Sequence, residues 1–256
     1  MTSIPTAALP GGDIPLLGLG TWQSEGDDCY RAVRHALDVG YRHIDTATMY
    51  GNEEQVGRAL AASGVPRGDV FLTTKLRPAD VGREHETLAQ SLRLLGTDYL
   101  DLWLIHWPPS GDASPWVWAE MLGARNVGLV RSVGVSNYSV DQLDVLSEQT
   151  GETPAVNQIP WGPDDYDAQV VEQHAKRGVV LEGYSPLKRT NLDSPALRAV
   201  ARAHGVSTAQ VVVRWHLDHG FVVIPKSVTP ARIETNFDVT GFSLSPDELA
   251  SIDTLG

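Results

Sequence analysis

Asp45 and Tyr50 stand five residues apart in the stretch Tyr41-Arg42-His43-Ile44-Asp45-Thr46-Ala47-Thr48-Met49-Tyr50-Gly51. A carboxylate ends a short apolar run, and a phenol stands just before a glycine that lets the backbone turn sharply. A carboxylate at the end of a buried strand needs a cation or a donor, because desolvating it alone costs several kcal/mol or shifts its pKa. Lys75, at the end of the next apolar run Val70 to Lys75, is the candidate partner. A tyrosine with an ordinary pKa of about 10 holds its proton too tightly to donate it efficiently near neutrality. A neighbouring Lys75 favours the phenolate and is expected to lower that pKa, while Asp45 holds the lysine in place and keeps it charged. His106, closing the apolar run Tyr99 to His106, can orient and polarise a carbonyl oxygen. A proton donor beside a carbonyl holder implies carbonyl reduction, which needs a source of hydride.

These groups need a frame that gathers strand ends. Apolar runs of strand length alternate with segments of helical spacing along the chain. After a hairpin of Thr6 to Leu9 and Ile14 to Leu17 around Pro10-Gly11-Gly12-Asp13, expected strands lie at Leu17–Thr21, Tyr41–Asp45, Val70–Lys75, Tyr99–His106, Val130–Val135, Ala155–Ile159, Val179–Tyr184 and Phe221–Pro225. Expected helices lie at Asp27–Val39, Glu53–Ala62, Glu84–Leu95, Trp116–Asn126, Val140–Glu148, Ala168–Lys176, Pro195–His204, Thr208–Leu217, Arg232–Phe237 and Pro246–Leu255. Eight strand–helix units in 256 residues, with no long linker, predict one domain spanning 1–256: a (β/α)8 TIM barrel whose N-terminal β-hairpin closes the bottom. A doubly wound open sheet is the competing fold. Gly18-Leu19-Gly20-Thr21-Trp22-Gln23 lacks the third glycine of its dinucleotide fingerprint, and no phosphate-binding P-loop or zinc helix is present. In a barrel the C-terminal strand ends would collect Asp45, Lys75, His106, Ser136-Asn137, Gln158, Tyr184 and Lys226-Ser227 at one mouth.

Composition narrows the partners. Twenty Lys and Arg against 32 Asp and Glu give a formal charge of −12, which repels phosphate backbones and anionic lipid, so neither nucleic acid nor membrane is an expected partner. The single cysteine, Cys29, rules out an internal disulfide and a cysteine-based metal cluster, and is expected as a small buried apolar residue. Met1 to Pro10 has no basic segment followed by an apolar run, so a cytoplasmic monomer acting on a small molecule is expected, and the sequon at Asn137-Tyr138-Ser139 is discounted.

The chain resembles the aldo-keto reductase family over nearly its full length. The resemblance rests on Gly40-Tyr41-Arg42-His43-Ile44-Asp45-Thr46-Ala47 with Tyr50-Gly51-Asn52-Glu53, Lys75, His106-Trp107-Pro108, Gly134-Val135-Ser136-Asn137-Tyr138, Val156-Asn157-Gln158, Tyr184-Ser185-Pro186-Leu187 and Ile224-Pro225-Lys226-Ser227. It implies that Asp45, Tyr50, Lys75 and His106 are a catalytic tetrad reducing small to medium aldehydes and ketones, with Tyr50 as general acid. It implies NADPH as cofactor and no metal. Ser136, Asn137 and Gln158 would hold the carboxamide and Tyr184 would stack on the nicotinamide. Gly20, Thr21 and Asp45 would lie along the cofactor, Ser185 and Leu187 would cover the pyrophosphate, Lys226, Ser227 and Arg232 would grip the 2′-phosphate, and Asn236 would meet the adenine. Trp22, Tyr50, His106 and Trp107 would line the substrate wall.

Two departures from the family pattern matter: Thr235 stands where an acidic residue is common, and the chain stops at Gly256, where relatives commonly continue into a segment over the pocket, so an open pocket is expected. The competing functions are a non-catalytic NADPH-holding subunit of the potassium-channel type, since fold does not fix function, and a metal-dependent barrel hydrolase. The hydrolase would need clustered His and carboxylate ligands, and Lys75 between Asp45 and His106 is a poor neighbour for a cation.

Overall fold

A computed structural model describes residues 4–256. The first three residues of the Met1–Pro10 stretch therefore lie outside the described residues. Thr6–Ala7 (β1) and Ile14–Pro15 (β2) pair antiparallel as the expected hairpin. Eight further strands follow in chain order: Leu19–Gly20 (β3), His43–Asp45 (β4), Phe71–Leu76 (β5), Leu100–Ile105 (β6), Val130–Ser136 (β7), Val156–Pro160 (β8), Val180–Tyr184 (β9) and Val222–Ile224 (β10). Every neighbouring pair among them is parallel and their order in the sheet is their order in the chain. Parallel bridges between Leu17 and Val223 and between Gly20 and Lys226 close the sheet on itself. Across that seam Val223 donates to the Leu16 carbonyl at 2.7 Å and Gly18 to that of Val223 at 2.9 Å. The fold is the (β/α)8 barrel that the alternation predicts.

Most of the helices form because their sequences offer one apolar face to this barrel. In Gly26–Val39 (α1), Cys29, Ala32, Val33, Ala36 and Leu37 are buried at successive intervals of three, one, three and one, and Gly40 ends the helix at φ 123°. Glu53–Ser63 (α2), Glu84–Leu95 (α3), Pro115–Asn126 (α4), Val140–Thr150 (α5) and Ala168–Lys176 (α6) follow their strands in turn. A four-residue helix, Pro186–Arg189 (α7), comes directly after β9, and its prolyl start after Ser185 at φ 56° left no apolar period to read. Pro195–His204 (α8), Thr208–His219 (α9), Pro230–Phe237 (α10) and Pro246–Asp253 (α11) complete the chain. Capping boxes start α5, α9 and α11, in each case a serine bonded reciprocally with the Gln or Glu three residues on.

The hairpin lies under the N-terminal strand ends. Gly11 donates to Ser132 Oγ at 3.1 Å, and a Cβ on Gly11 would sit 2.3 Å from the Arg131 carbonyl oxygen, so only glycine allows the hairpin tip to seat there. Strands β5 and β6 are buried at every position, as parallel strands covered on both faces must be. Cys29 is fully buried and burial pushes its thiol up to about 11, so it packs as a small apolar side chain. No helix among the described residues is long and apolar enough to cross a membrane.

Candidate active site

Asp45 is the last residue of β4, and the short turn after it (Thr48–Tyr50, closed by Gly51 in the left-handed region at φ 66°) folds Tyr50 back over the barrel end. Lys75 is next to last in β5, one strand over. Its Nζ donates to Asp45 Oδ1 at 2.5 Å and to the Thr46 carbonyl at 2.9 Å, with both charged side chains buried. The ammonium lies 5.3 Å from the Tyr50 ring centroid. His106 follows β6 immediately and meets Tyr50 edge-on, with ring centroids 5.6 Å apart. The four residues separated in sequence thus form one contiguous group.

Burial alone would lower the Lys75 ammonium, but Asp45, Tyr50 and Glu182 around it outweigh burial and hold it above its ordinary value. Lys75 therefore stays charged. For Tyr50 the balance differs from the sequence expectation. Burial raises the phenol more than Lys75 lowers it, so its pKa lies above 10 rather than below. Lys75 does pull in the expected direction; desolvation of the ring is the larger effect. His106 is driven down to about 3 by burial and then by Lys75, so the imidazole is neutral. Its Nδ1 is buried without a hydrogen-bond partner among the described residues.

A cavity of about 660 Å³ opens over this group. Of the residues singled out in the sequence, Gly20, Trp22, Asp45, Tyr50, His106, Trp107, Ser136, Asn137, Gln158, Tyr184, Ser185 and Lys226 line it. Lys75 sits beneath it, and Thr21 is buried alongside, its hydroxyl donating to the Asp45 carbonyl at 3.0 Å. Leu187, Ser227, Arg232 and Asn236 lie outside the cavity wall: Arg232 is exposed on α10, while Ser227 and Asn236 are buried. Lys226 and Arg232 make no ion pair among the described residues. Trp22 and Trp107 are 42% and 46% exposed, which makes Trp22 a rim residue rather than core.

The polar groups of the wall are already tied together. Gln158 Nε2 donates to Asp45 Oδ2 at 2.9 Å, so both oxygens of that carboxylate are engaged. Ser136 Oγ donates to the Gln158 carbonyl at 2.8 Å. Asn137, in the left-handed region at φ 64°, donates its amide to the His106 carbonyl and to Ser136 Oγ, both at 3.0 Å, and accepts the Tyr184 hydroxyl at 2.9 Å. Sequence reading missed Met49, Pro160, Lys188, Arg189 and Ile224 in the wall. Lys188 Nζ stands 5.5 Å from the Trp22 ring across the opening, and Arg189 pairs with Asp165. The dibasic pair follows directly on the Tyr184–Leu187 motif, so its position was readable even though its partner across the mouth was not. Among the described residues, no group of three or more His, Cys, Asp or Glu could hold a metal ion.

Residues 16–256 match the model of the aldo/keto reductase family, and the chain belongs to that family. A methylglyoxal reductase, DkgA, of Salmonella typhimurium is 45% identical over 246 residues, covering 94% of this chain and 90% of that protein. A crystal structure of an aldo/keto reductase from Brucella melitensis superposes with a TM-score of 0.96 at 42% identity, covering 100% of this chain and 99% of the other. A Bombyx mori aldo-keto reductase in complex with NADP superposes with a TM-score of 0.92 at 35% identity, covering 100% and 94%.

Proposed function

We propose that this protein is an NADPH-dependent reductase of small to medium aldehydes and ketones in which Tyr50 is the general acid. The observation that carries the assignment of Tyr50 is the buried Asp45–Lys75 pair with the ammonium against the Tyr50 ring and neutral His106 at the ring edge. NADPH, when bound, supplies the hydride. The residues at the mouth suit it: Gly20 has no room for a Cβ, which would approach the Ile224 carbonyl oxygen to 2.8 Å, and Lys226 and Arg232 are exposed cations that form no ion pair among the described residues. Those two would take the 2′-phosphate, with Ser227 and Asn236 beside them. Ser136, Asn137 and Gln158 would hold the carboxamide, Tyr184 the ring, and Gly20, Thr21, Ser185 and Leu187 the stretch between.

Tyr50 carries its proton at neutral pH, as an acid must before it acts. As the proton leaves, charge develops on the phenolate, and the fixed Lys75 ammonium stabilises it without rearrangement. Asp45, held on its second oxygen by Gln158, keeps that ammonium charged and in place. An unpartnered Nδ1 favours the His106 tautomer with its proton on Nε2, free to donate to the carbonyl oxygen. Trp22 and Trp107, with Met49, offer an exposed apolar rim that suits loose selection by size. The methylglyoxal reductase relative supports a small carbonyl compound as substrate. One barrel domain acting as a cytoplasmic monomer completes the proposal, consistent with a lone buried cysteine and a net negative chain. No observation favours the non-catalytic channel-subunit reading.

A panel of aldehydes and ketones followed by the loss of NADPH absorbance tests the reading. Turnover of several small carbonyls is expected; saturable NADPH binding with no turnover of any would overturn it.

A further inference from the structure

Below Asp45, one layer deeper in the barrel, lies a second acid that the reaction does not use. Glu182 of β9 is fully buried, and neither of its carboxyl oxygens has a hydrogen-bond partner among the described residues. It is in register with Gln158 of β8, the residue that binds Asp45, and with Val222 of β10. Across the barrel its Oε1 is 3.9 Å from His43 Nε2. Burial keeps the His43 ring neutral; its Nδ1 donates to the Pro15 carbonyl at 3.2 Å, which leaves Nε2 a lone pair with Thr73 Oγ1 at 3.4 Å. A neutral imidazole cannot balance a carboxylate. Among the described residues, the one buried cation within reach, Lys75, is already committed to Asp45 at 2.5 Å.

We propose that Glu182 is held protonated inside the barrel as a positioning residue for the Tyr50 proton donor, leaving the Lys75 charge matched to Asp45 and free to stabilise the phenolate. The inference rests on the assignment of Tyr50 made above. The ionisable groups that face Glu182 are His43 and Asp45 on β4 and Lys75 on β5. β8 contributes the neutral Gln158 and β10 only Val222–Ile224, while His216 of α9 lies behind the strand, with Nε2 3.1 Å from where a Cβ on Gly183 would be. Burial first, then the Asp45 charge, raises the Glu182 carboxyl to about 8, opposed by the Lys75 charge and by the neighbouring Gln158 amide, whose hydrogen bond in this geometry goes to Asp45. Burial lowers His43 to about 4. With Glu182 protonated, Asp45 and Lys75 sum to zero beneath Tyr50. Ionising Glu182 leaves an uncompensated negative charge in a desolvated interior and opposes loss of the Tyr50 proton. Glu182 itself transfers no proton.

The test is the pH profile of kcat for aldehyde reduction at saturating NADPH in the wild type, Glu182→Gln and Glu182→Met. In the wild type kcat is expected to fall severalfold as pH rises through about 8 and then level off once Glu182 is ionised. Both variants, which cannot ionise, are expected to lack that limb. A limb retained in either variant would overturn the inference, as would a loss of rate that is the same at every pH, which is what a purely structural role gives. Infrared difference spectra of the NADPH complex, wild type minus Glu182→Gln, provide a reading independent of turnover. A protonated-carboxyl stretch near neutrality that disappears above about pH 8 is expected, and its absence would mean that Glu182 is ionised, which also overturns the proposal. If Tyr50→Phe retained turnover, the acid assignment would fail separately, and the infrared band would still decide the state of Glu182.

Discussion

Replacing Lys75 by Met separates what the buried ion pair does for stability from what it does for chemistry. Lys75 is fully buried and donates to Asp45 and to the Thr46 carbonyl. The methionine keeps the length of the stem and removes the charge. Asp45, 1% exposed, then keeps only the Gln158 amide as a side-chain partner. Breaking a buried pair from one side costs about 3–5 kcal/mol because the remaining charge is uncompensated. At about 2–4 °C per kcal/mol for a chain near this size, the melting temperature should fall by about 6–20 °C. Adding Asp45→Asn removes the orphaned charge, so the double variant should recover most of that loss. Activity should not recover with it. Losing a fixed charge at a site of developing charge costs about 10²–10³-fold in kcat, and the double variant lacks the same charge. Thermal unfolding and single-turnover NADPH oxidation, measured on both variants, check the two halves. A double variant that regains turnover along with stability would refute the claim that Lys75 acts on the Tyr50 proton.

His106, held near 3, stays neutral through the working range, so wild-type kcat should show no limb near the ordinary histidine value of about 6.5; such a limb, abolished by His106→Gln, would contradict the neutral-donor assignment. Buried His43 and His216, each lowered to about 4, bind protons more weakly folded than unfolded. Stability should therefore fall as pH drops from about 6.5 toward 4, by up to about 1.4 kcal/mol per pH unit per histidine, and urea titrations at graded pH measure that slope. Lys226→Ala with Arg232→Ala should raise the dissociation constant for NADPH far more than for NADH, since charge-assisted contacts to a phosphate are worth about 1.5–3 kcal/mol each; equal losses for the two cofactors would refute the 2′-phosphate role.

The barrel was legible because the strands are short apolar runs with a polar residue at or next to their ends and most helices carry a regular apolar face; α1 and α3 fall within a residue of expectation. The mouth was legible for the same reason, since parallel strands deliver their last residues to one end. What was not legible depends on contacts between distant segments. Gln158 and Asp45 are 113 positions apart, and nothing local marks their bond. The sign of the Tyr50 shift depends on how much water the folded loop excludes, which outweighed the one neighbour that sequence could identify. Lys188 gains meaning only from lying across the opening from Trp22. Glu182 reads in sequence as one polar position in an apolar strand, and its isolation becomes evident only when His43 and Asp45 are placed across the barrel from it.

The central claim, that Tyr50 supplies the proton, is tested most directly by Tyr50→Phe. The change removes one oxygen while leaving the ring edge-on to His106 and over Lys75. NADPH should bind with near wild-type affinity, read by quenching of tryptophan fluorescence, while reduction of a test aldehyde in a single turnover is lost. Near-normal turnover in that variant would contradict the account.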